Sequence, residues 1–207
     1  MKTHTTIDVD QECLDHGIIE SSVSGDVHQM KYLLDRGGGH AKKDSALCRA
    51  AENGHLEVVC LLLDSGANIH TGNDYALRCS VECGYLNVVE LLIERGASIH
   101  TEDGQALRLA AERGYLEMVS LLLDSGADAP ADNDRALRQS VTQGHSDVVL
   151  LLLEHGANLE AGIEEAVTFR KSKMLDLLNR VKLSREEKKL LLMEIPGQVS
   201  SGDRIRM

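Results

Sequence analysis

Two cysteines, Cys79 and Cys83, stand four residues apart, the spacing that puts both thiols on one helix face within reach of a single soft metal ion. Two ligands are too few for a structural zinc site, and no further Cys or His falls on that face, so free thiols are the reading. Three other sets recur at an interval of 30 residues: His70 and His100; Glu52, Glu82 and Glu112; Arg78, Arg108 and Arg138. Side chains repeated at a fixed interval ride on successive copies of one element and form ladders, with rungs ~8–10 Å apart if the elements are packed helices. Zinc draws its nitrogen ligands to ~2.0–2.1 Å of one point, so a histidine ladder does not make a metal site. A glutamate ladder is likewise a solvated face and not a paired acid and base. Three aligned guanidiniums would grip an acidic peptide or a phosphate. The local alternative is ion pairing at i to i+4, with Asp74 before Arg78, Asp134 before Arg138, and Glu82 and Glu112 after Arg78 and Arg108. Pairing is the favoured reading.

Sequence signatures of catalysis are missing: no G-x-x-x-x-G-K-S/T, no G-x-G-x-x-G after a strand, no H-E-x-x-H and no G-x-S-x-G. An enzyme is not expected, and neither is any cofactor or metal.

The elements that carry the ladders are legible as four blocks starting at Ala46, Ala76, Ala106 and Ala136, each 30 residues after the last. Gly54, Gly84, Gly114 and Gly144 keep that interval, as do the Gly-Ala pairs at Gly66, Gly96, Gly126 and Gly156. Within a block, Leu77, Ser80 and Val81 give a short helical face, and Leu86, Val88, Val89, Leu91, Leu92 and Ile93 a stronger one after Gly84. Each block therefore predicts a helix pair, with one glycine at the reversal and one past the second helix. Asp44, Asp74 and Asp134 are candidate N-caps of the first helices, and Gly104 in that place makes the third cap the weakest. Helices this short are marginal alone and must stack on their neighbours.

The motif G-H/Y-L-x-x-V-x-x-L-L-x-x-G-A, read from Gly54-His55-Leu56 to Gly66-Ala67 and in three further copies, resembles the ankyrin repeat. The resemblance covers about residues 12 to 178 and implies an all-α solenoid of stacked helix-turn-helix units. The units depart from the family's usual 33 residues and T-P-L-H-x-A opening. Here the openings are Ala46-Leu47-Cys48, Ala76-Leu77-Arg78, Ala106-Leu107-Arg108 and Ala136-Leu137-Arg138, and the shortfall lies in the connecting finger, which should shrink to a tight turn. Units of this length look like those of arrays encoded by large amoeba-infecting DNA viruses.

The expected organisation is an N-terminal tail over 1–11; an array over 12–183, with a degenerate first unit at about 12–40, four clear units at about 41–160 and a degenerate last unit at about 161–183 that begins at Ala166-Val167; a capping helix over 184–195; and a disordered tail over 196–207. Ser184-Arg185-Glu186-Glu187 reads as the capping box that opens the last helix, which Pro196-Gly197 stops.

The formal charge of −11 disfavours nucleic acid as a partner. No apolar run spans a bilayer, the N-terminus lacks a hydrophobic signal region, and five cysteines match no disulfide framework, so a soluble cytoplasmic protein with reduced thiols is expected.

Ankyrin arrays bind protein partners along the concave face made by the first helices and turns. The resemblance places that role on Arg49, Glu52, Asn53, Cys79, Glu82, Cys83, Leu109, Glu112, Arg113, Gln139, Thr142 and Gln143, with Tyr75, Gln105 and Arg135 at the turns. These positions vary from unit to unit while the core positions hardly do. His55 and His145, which alternate with Tyr85 and Tyr115, are read as packing. The expected function is a monomeric protein-binding scaffold. The alternatives are a self-associating structural array and an acidic mimic that occludes a basic surface.

Overall fold

A computed structural model describes residues 5–38 and 42–194, with side chains over 12–38 and 42–190. Among the described residues all regular structure is helical: α1 (Thr5–Ser24), α2 (Val27–Asp35), α3 (Lys43–Glu52), α4 (Leu56–Asp64), α5 (Thr71–Cys83), α6 (Leu86–Glu94), α7 (Thr101–Arg113), α8 (Leu116–Asp124), α9 (Ala131–Gln143), α10 (Ser146–Glu154), α11 (Leu159–Thr168) and α12 (Ser172–Glu194). Consecutive helices form six pairs. The first helices α1, α3, α5, α7, α9 and α11 pack in sequence as one layer, and the second helices α2, α4, α6, α8 and α10 as the other. The all-α solenoid expected from the repeat is the observed architecture.

The core is a ladder with a rung in each unit. Leu47, Leu77 and Leu137 from the first helices, and Leu62, Leu92, Leu122 and Leu152 from the second, are at most 1% exposed. Alanines at 46, 50, 51, 76, 106, 110 and 111 are buried between them, and their small size lets the first helices approach closely. At the helix reversal Gly84 takes φ 81°, and the backbone N–H of Tyr85 donates to Ser80 O at 2.9 Å.

The shortened finger is a turn of left-handed helix. Residues 72–74, 102–104 and 132–134 all have φ between 48 and 75°. Glycine, asparagine and aspartate tolerate that region best, and eight of these nine positions hold one of them, Glu102 being the exception. This corrects the expected role of Asp44, Asp74 and Asp134. None of them caps its own helix; each reaches across to the turn that leads into the next unit. The backbone N–H of Asn68 donates to Asp44 Oδ1 at 2.7 Å, that of Ser98 to Asp74 Oδ1 at 3.0 Å, and that of Asn158 to Asp134 Oδ1 at 2.7 Å. The aspartate is thus a clasp between units, and Gly104 has no side chain with which to close one.

The ends of the array differ from the sequence reading in three ways. First, α1 begins at Thr5, inside the stretch expected to be a tail, because no Gly or Pro interrupts the chain before Gly17. Second, the last unit opens at Gly162-Ile163 and not at Ala166-Val167. It has lost the left-handed turn, and Asn158 caps α11 directly by accepting from Glu160 N at 3.0 Å. The reversal bond from Lys171 N to Ala166 O, 2.8 Å, matches that from His145 N to Ser140 O, which places Arg170 (φ 54°) where the other units have glycine. Third, Ser184 lies inside α12, with no Gly or Pro between Ser172 and Glu194 to end the helix and start another. Its far end leans on α10, where Arg185 Nη2 donates to Leu153 O at 2.8 Å. It leaves the outer face of α11 open, with Val167 58% exposed. The tail expected over 196–207 lies outside the described residues.

Candidate partner-binding face

The first helices present their C-terminal halves side by side, and the residues assigned to binding fall along them. Arg49, Asn53, Glu82, Cys83, Arg113 and Gln143 are exposed, as are Tyr75 and Arg135 at the turns; Glu52, Gln105, Leu109, Glu112, Gln139 and Thr142 are half-buried. Cys79 is not a surface residue, being 8% exposed. It lies one helical turn after Tyr75.

The face is a mesh of polar pairs. Arg49 Nη1 lies 3.0 Å from Glu52 Oε2, and Asn53 Nδ2 donates to Arg49 O at 2.8 Å. Between units, Arg113 pairs with Glu82 at 3.2 Å, Gln139 Nε2 donates to Glu112 at 3.1 Å, and Thr142 Oγ1 lies 3.3 Å from Glu165. Arg135 pairs with Asp132 at 3.2 Å. The exposed cations of the face, Arg49, Arg113 and Arg135, are all paired. Exposed pairs of this kind contribute only ~0–1 kcal/mol each, so an incoming partner displaces them at little cost.

Two of the three arginines of the ladder are occupied, though not by the neighbours expected. Arg78 Nη1 reaches Glu102 at 3.0 Å and Gln105 at 2.8 Å in the following unit, while Nη2 donates to Gly72 O at 2.9 Å. Arg138 pairs with Glu165 at 3.1 Å and donates to Asn133 O at 3.2 Å. Asp74, expected to pair with Arg78, is taken by Ser98 N and by His70 Nδ1 at 2.9 Å. Arg78 and Arg138 therefore tie one unit to the next, whereas Arg108 forms no hydrogen bond or ion pair among the described residues.

One feature was missed. A pocket of about 330 Å³ opens between the second and third units, lined by Ser45, Cys48, Arg49, Glu52, Thr71, Gly72 and Tyr75. Its cause was visible in the sequence: Cys48 stands where Arg78, Arg108 and Arg138 recur, and a thiol leaves empty the space that a guanidinium fills. Tyr75 forms the pocket wall, 41% exposed, with the Arg78 guanidinium 5.6 Å from its ring centroid.

Ionisation around the pocket favours neutral groups. Burial and neighbouring Cys79 push the Cys48 thiol up to about 11. Cys79 is raised by burial, partly opposed by the Tyr75 hydrogen bond, and Cys83 by burial and the Glu82 carboxylate. Tyr75 itself is held up at about 12 by its hydrogen bond to Cys79 and by that group's charge. Protonated thiols are poor nucleophiles and poor metal ligands. Among the described residues no group of three or more His, Cys, Asp or Glu is placed to hold a metal ion. His55, Tyr85, Tyr115 and His145 each lie over the reversal glycine of the preceding unit, Gly25, Gly54, Gly84 and Gly114, and pack as the sequence indicated.

Stacked helix pairs, a first-helix face that varies, and a core that does not define a helical repeat scaffold. The family described as ankyrin repeats (3 copies) matches over residues 18–103 and again over 77–162, most of the chain, and the protein belongs to that family. Arrays of this family generally mediate protein–protein interaction and generally act as non-enzymatic scaffolds. No curated protein matches the chain. Among the described residues no helix is long and apolar enough to cross a membrane.

Proposed function

We propose that the chain is a non-catalytic scaffold that binds a protein partner along the first-helix face, with the partner anchored at the Tyr75 pocket. The observation that carries this is an exposed aromatic ring beside a preformed recess. Tyr75 is 41% exposed, next to a pocket of about 330 Å³ whose floor is a neutral thiol and whose rim offers a guanidinium and a carboxylate, Arg49 and Glu52. Tyrosine and arginine at a recess are the residues on which binding energy concentrates. The remaining positions, from Glu82 and Arg113 to Gln139 and Gln143, supply a polar rim whose weak internal pairs exchange for contacts with the partner.

The reading extends to a cytoplasmic chain, supported by five free cysteines. The acidic balance supports a partner other than nucleic acid. The short unit with its A-L-R opening supports kinship with the arrays of large amoeba-infecting DNA viruses.

Partner recovered by affinity capture from the source's own cells provides the test. Replacing Tyr75, Arg113 and Arg135 by Ala should weaken its binding by more than about 2 kcal/mol in total while leaving stability within the ±0.5 kcal/mol or so usual for each surface change. A control at Glu90, Ser120 and Glu154 on the second helices should leave affinity unchanged. Loss of binding in the control and not in the groove variant would place the partner on the convex side.

A further inference from the structure

Four of the five internal junctions share one packing device, a ring of one unit lying on the reversal glycine of the unit before it: His55 on Gly25, Tyr85 on Gly54, Tyr115 on Gly84 and His145 on Gly114; at the fifth, Lys171 holds the ring position and Gly144 is uncovered. At the two ends both members of the device are exchanged. The last unit carries Arg170 in the place of the glycine, and the first carries Asp26 in the place of the ring. Were a second chain to follow the first in the register of the array, the position that at those four junctions joins ring to glycine would join carboxylate to guanidinium.

The apolar surface agrees. Val167 occupies the position that Ala51, Val81, Ala111 and Val141 hold in the units before it, where each is 0% exposed because the following unit covers it; Val167 is 58% exposed, with Phe169 beside it at 52%. At the other end Tyr32 is 55% exposed where its counterparts Leu61, Leu91, Leu121 and Leu151 are half-buried against the preceding unit.

Charge agrees as well. Residues 5–36 carry seven acidic and two basic side chains, and residues 170–190 eight basic and three acidic, in a chain whose overall charge is −11. Arg170, Lys171 and Lys173 form no ion pair among the described residues, a state they share with Arg36 and Arg108, while arginines at 49, 78, 95, 113, 135 and 138 are paired.

We propose that the α11–α12 flank of one chain receives the α1–α2 flank of a second copy, so that the solenoid continues head to tail from chain to chain. The contact is heterologous and does not close on itself, so it builds strings rather than a fixed dimer. It is weaker than an internal junction, because exposed Gln29 replaces the buried Val58, Val88, Met118 and Val148 of the other units. Monomers at low concentration and short strings at high concentration follow. The concave face stays free in either state, so the proposal stands or falls independently of the partner site.

Sedimentation velocity on the full chain over a concentration series tests it. The mean mass should rise with concentration without halting at the dimer, and high salt should suppress the rise by screening the Arg170–Asp26 encounter. Val167→Glu should block the tail and Tyr32→Arg the head; both positions are exposed, and unchanged helical melting curves confirm that the variants fold. Each variant alone should stay monomeric, and an equimolar mixture should form a 1:1 complex that grows no further, because one blocked tail and one blocked head leave a single compatible pair of ends. A wild-type chain monomeric at its highest soluble concentration would overturn the proposal, as would association of either variant alone or a mixture that stays monomeric.

Discussion

Among the described residues Gly104 stands where Asp44, Asp74 and Asp134 close a clasp, and supplying the aspartate there is a gain-of-stability experiment. In Gly104→Asp the new residue enters a backbone already at φ 75°, in the region aspartate tolerates. Its Cβ would lie 3.6 Å from Ala131 Cβ, an ordinary contact. The carboxylate would then face the backbone N–H of Asp128, as Asp74 faces Ser98 and Asp134 faces Asn158. A hydrogen bond to a charged group is worth ~1.5–3 kcal/mol, and giving a side chain to a left-handed glycine costs ~1 kcal/mol, so a net gain of about 0.5–2 kcal/mol is expected. The converse is Asp134→Ala. It removes an acceptor that is 7% exposed and leaves a residue with no local hydrogen bond in the left-handed region, a loss of about 2.5–5 kcal/mol. Asp134→Asn keeps an oxygen acceptor and should lose only about 1 kcal/mol. Urea unfolding followed by far-ultraviolet circular dichroism measures all three. If Gly104→Asp destabilises the chain, or if Asp134→Ala loses less than about 1 kcal/mol, the clasp does not hold the units together and the bonds at 2.7–3.0 Å are incidental.

Leu92→Ala and Leu122→Ala, each made at a side chain 0% exposed, should lose about 2–5 kcal/mol in the same assay; a loss below about 1 kcal/mol at both would contradict the packing described. The Cys48 thiol, held up to about 11, should be alkylated by iodoacetamide near neutral pH far more slowly than free cysteine, and labelling at an equal rate would count against its burial. Tyr75 is raised to about 12 in the fold from the ordinary value near 10, so the native state holds its proton longer than the unfolded chain does. Its contribution to stability is therefore complete below about pH 10 and lost as the pH climbs from there to about 12. Tyr75→Phe should flatten that part of the stability profile, and an unchanged profile would break the link to Cys79.

Much of the fold was legible because solenoid cores repeat. Leu62, Leu92, Leu122 and Leu152 fall at one interval, and a chain that buries the same leucine in four units announces where its helices run. The ends were less legible for the same reason. Without a repeat to align against, the Ser184-Arg185-Glu186-Glu187 tetrad looked like a helix start, since a capping box and a helix-interior run of polar residues are spelled alike. The last unit was displaced by four residues because it lacks the left-handed turn, and an interval assumed constant carries every later position with it. At the candidate site, exposure was read correctly for Tyr75, Arg113 and Arg135 and incorrectly for Cys79, whose burial depends on where the Tyr75 ring falls. Charge pairing was the hardest feature to foresee. Partners 24 to 31 residues away, as in Arg78–Glu102 and Arg113–Glu82, are neighbours only after the stack has formed.

These long-range pairs follow from the short unit. With a finger of three left-handed residues, the next unit begins close beneath the turn of the one before, near enough for the Asp74 carboxylate to reach Ser98 N and the Arg78 guanidinium to reach Glu102. The turn thus replaces a projecting finger with direct ties between units, and the binding face is left to the helices and the residues at their starts. That is why the pocket lies where it does. At Cys48 the arginine that would cross to the next finger is missing, and the space between two units stays open beside the exposed Tyr75 ring. Refilling it with Cys48→Arg, the residue its sister units carry, should therefore strengthen the junction through contacts to the Thr71–Tyr75 turn while abolishing whatever binds at Tyr75. Urea unfolding and partner affinity, measured on the same variant, should move in opposite directions. A variant that is more stable and binds as before would show that the pocket is a by-product of the missing arginine and not the anchor of the partner.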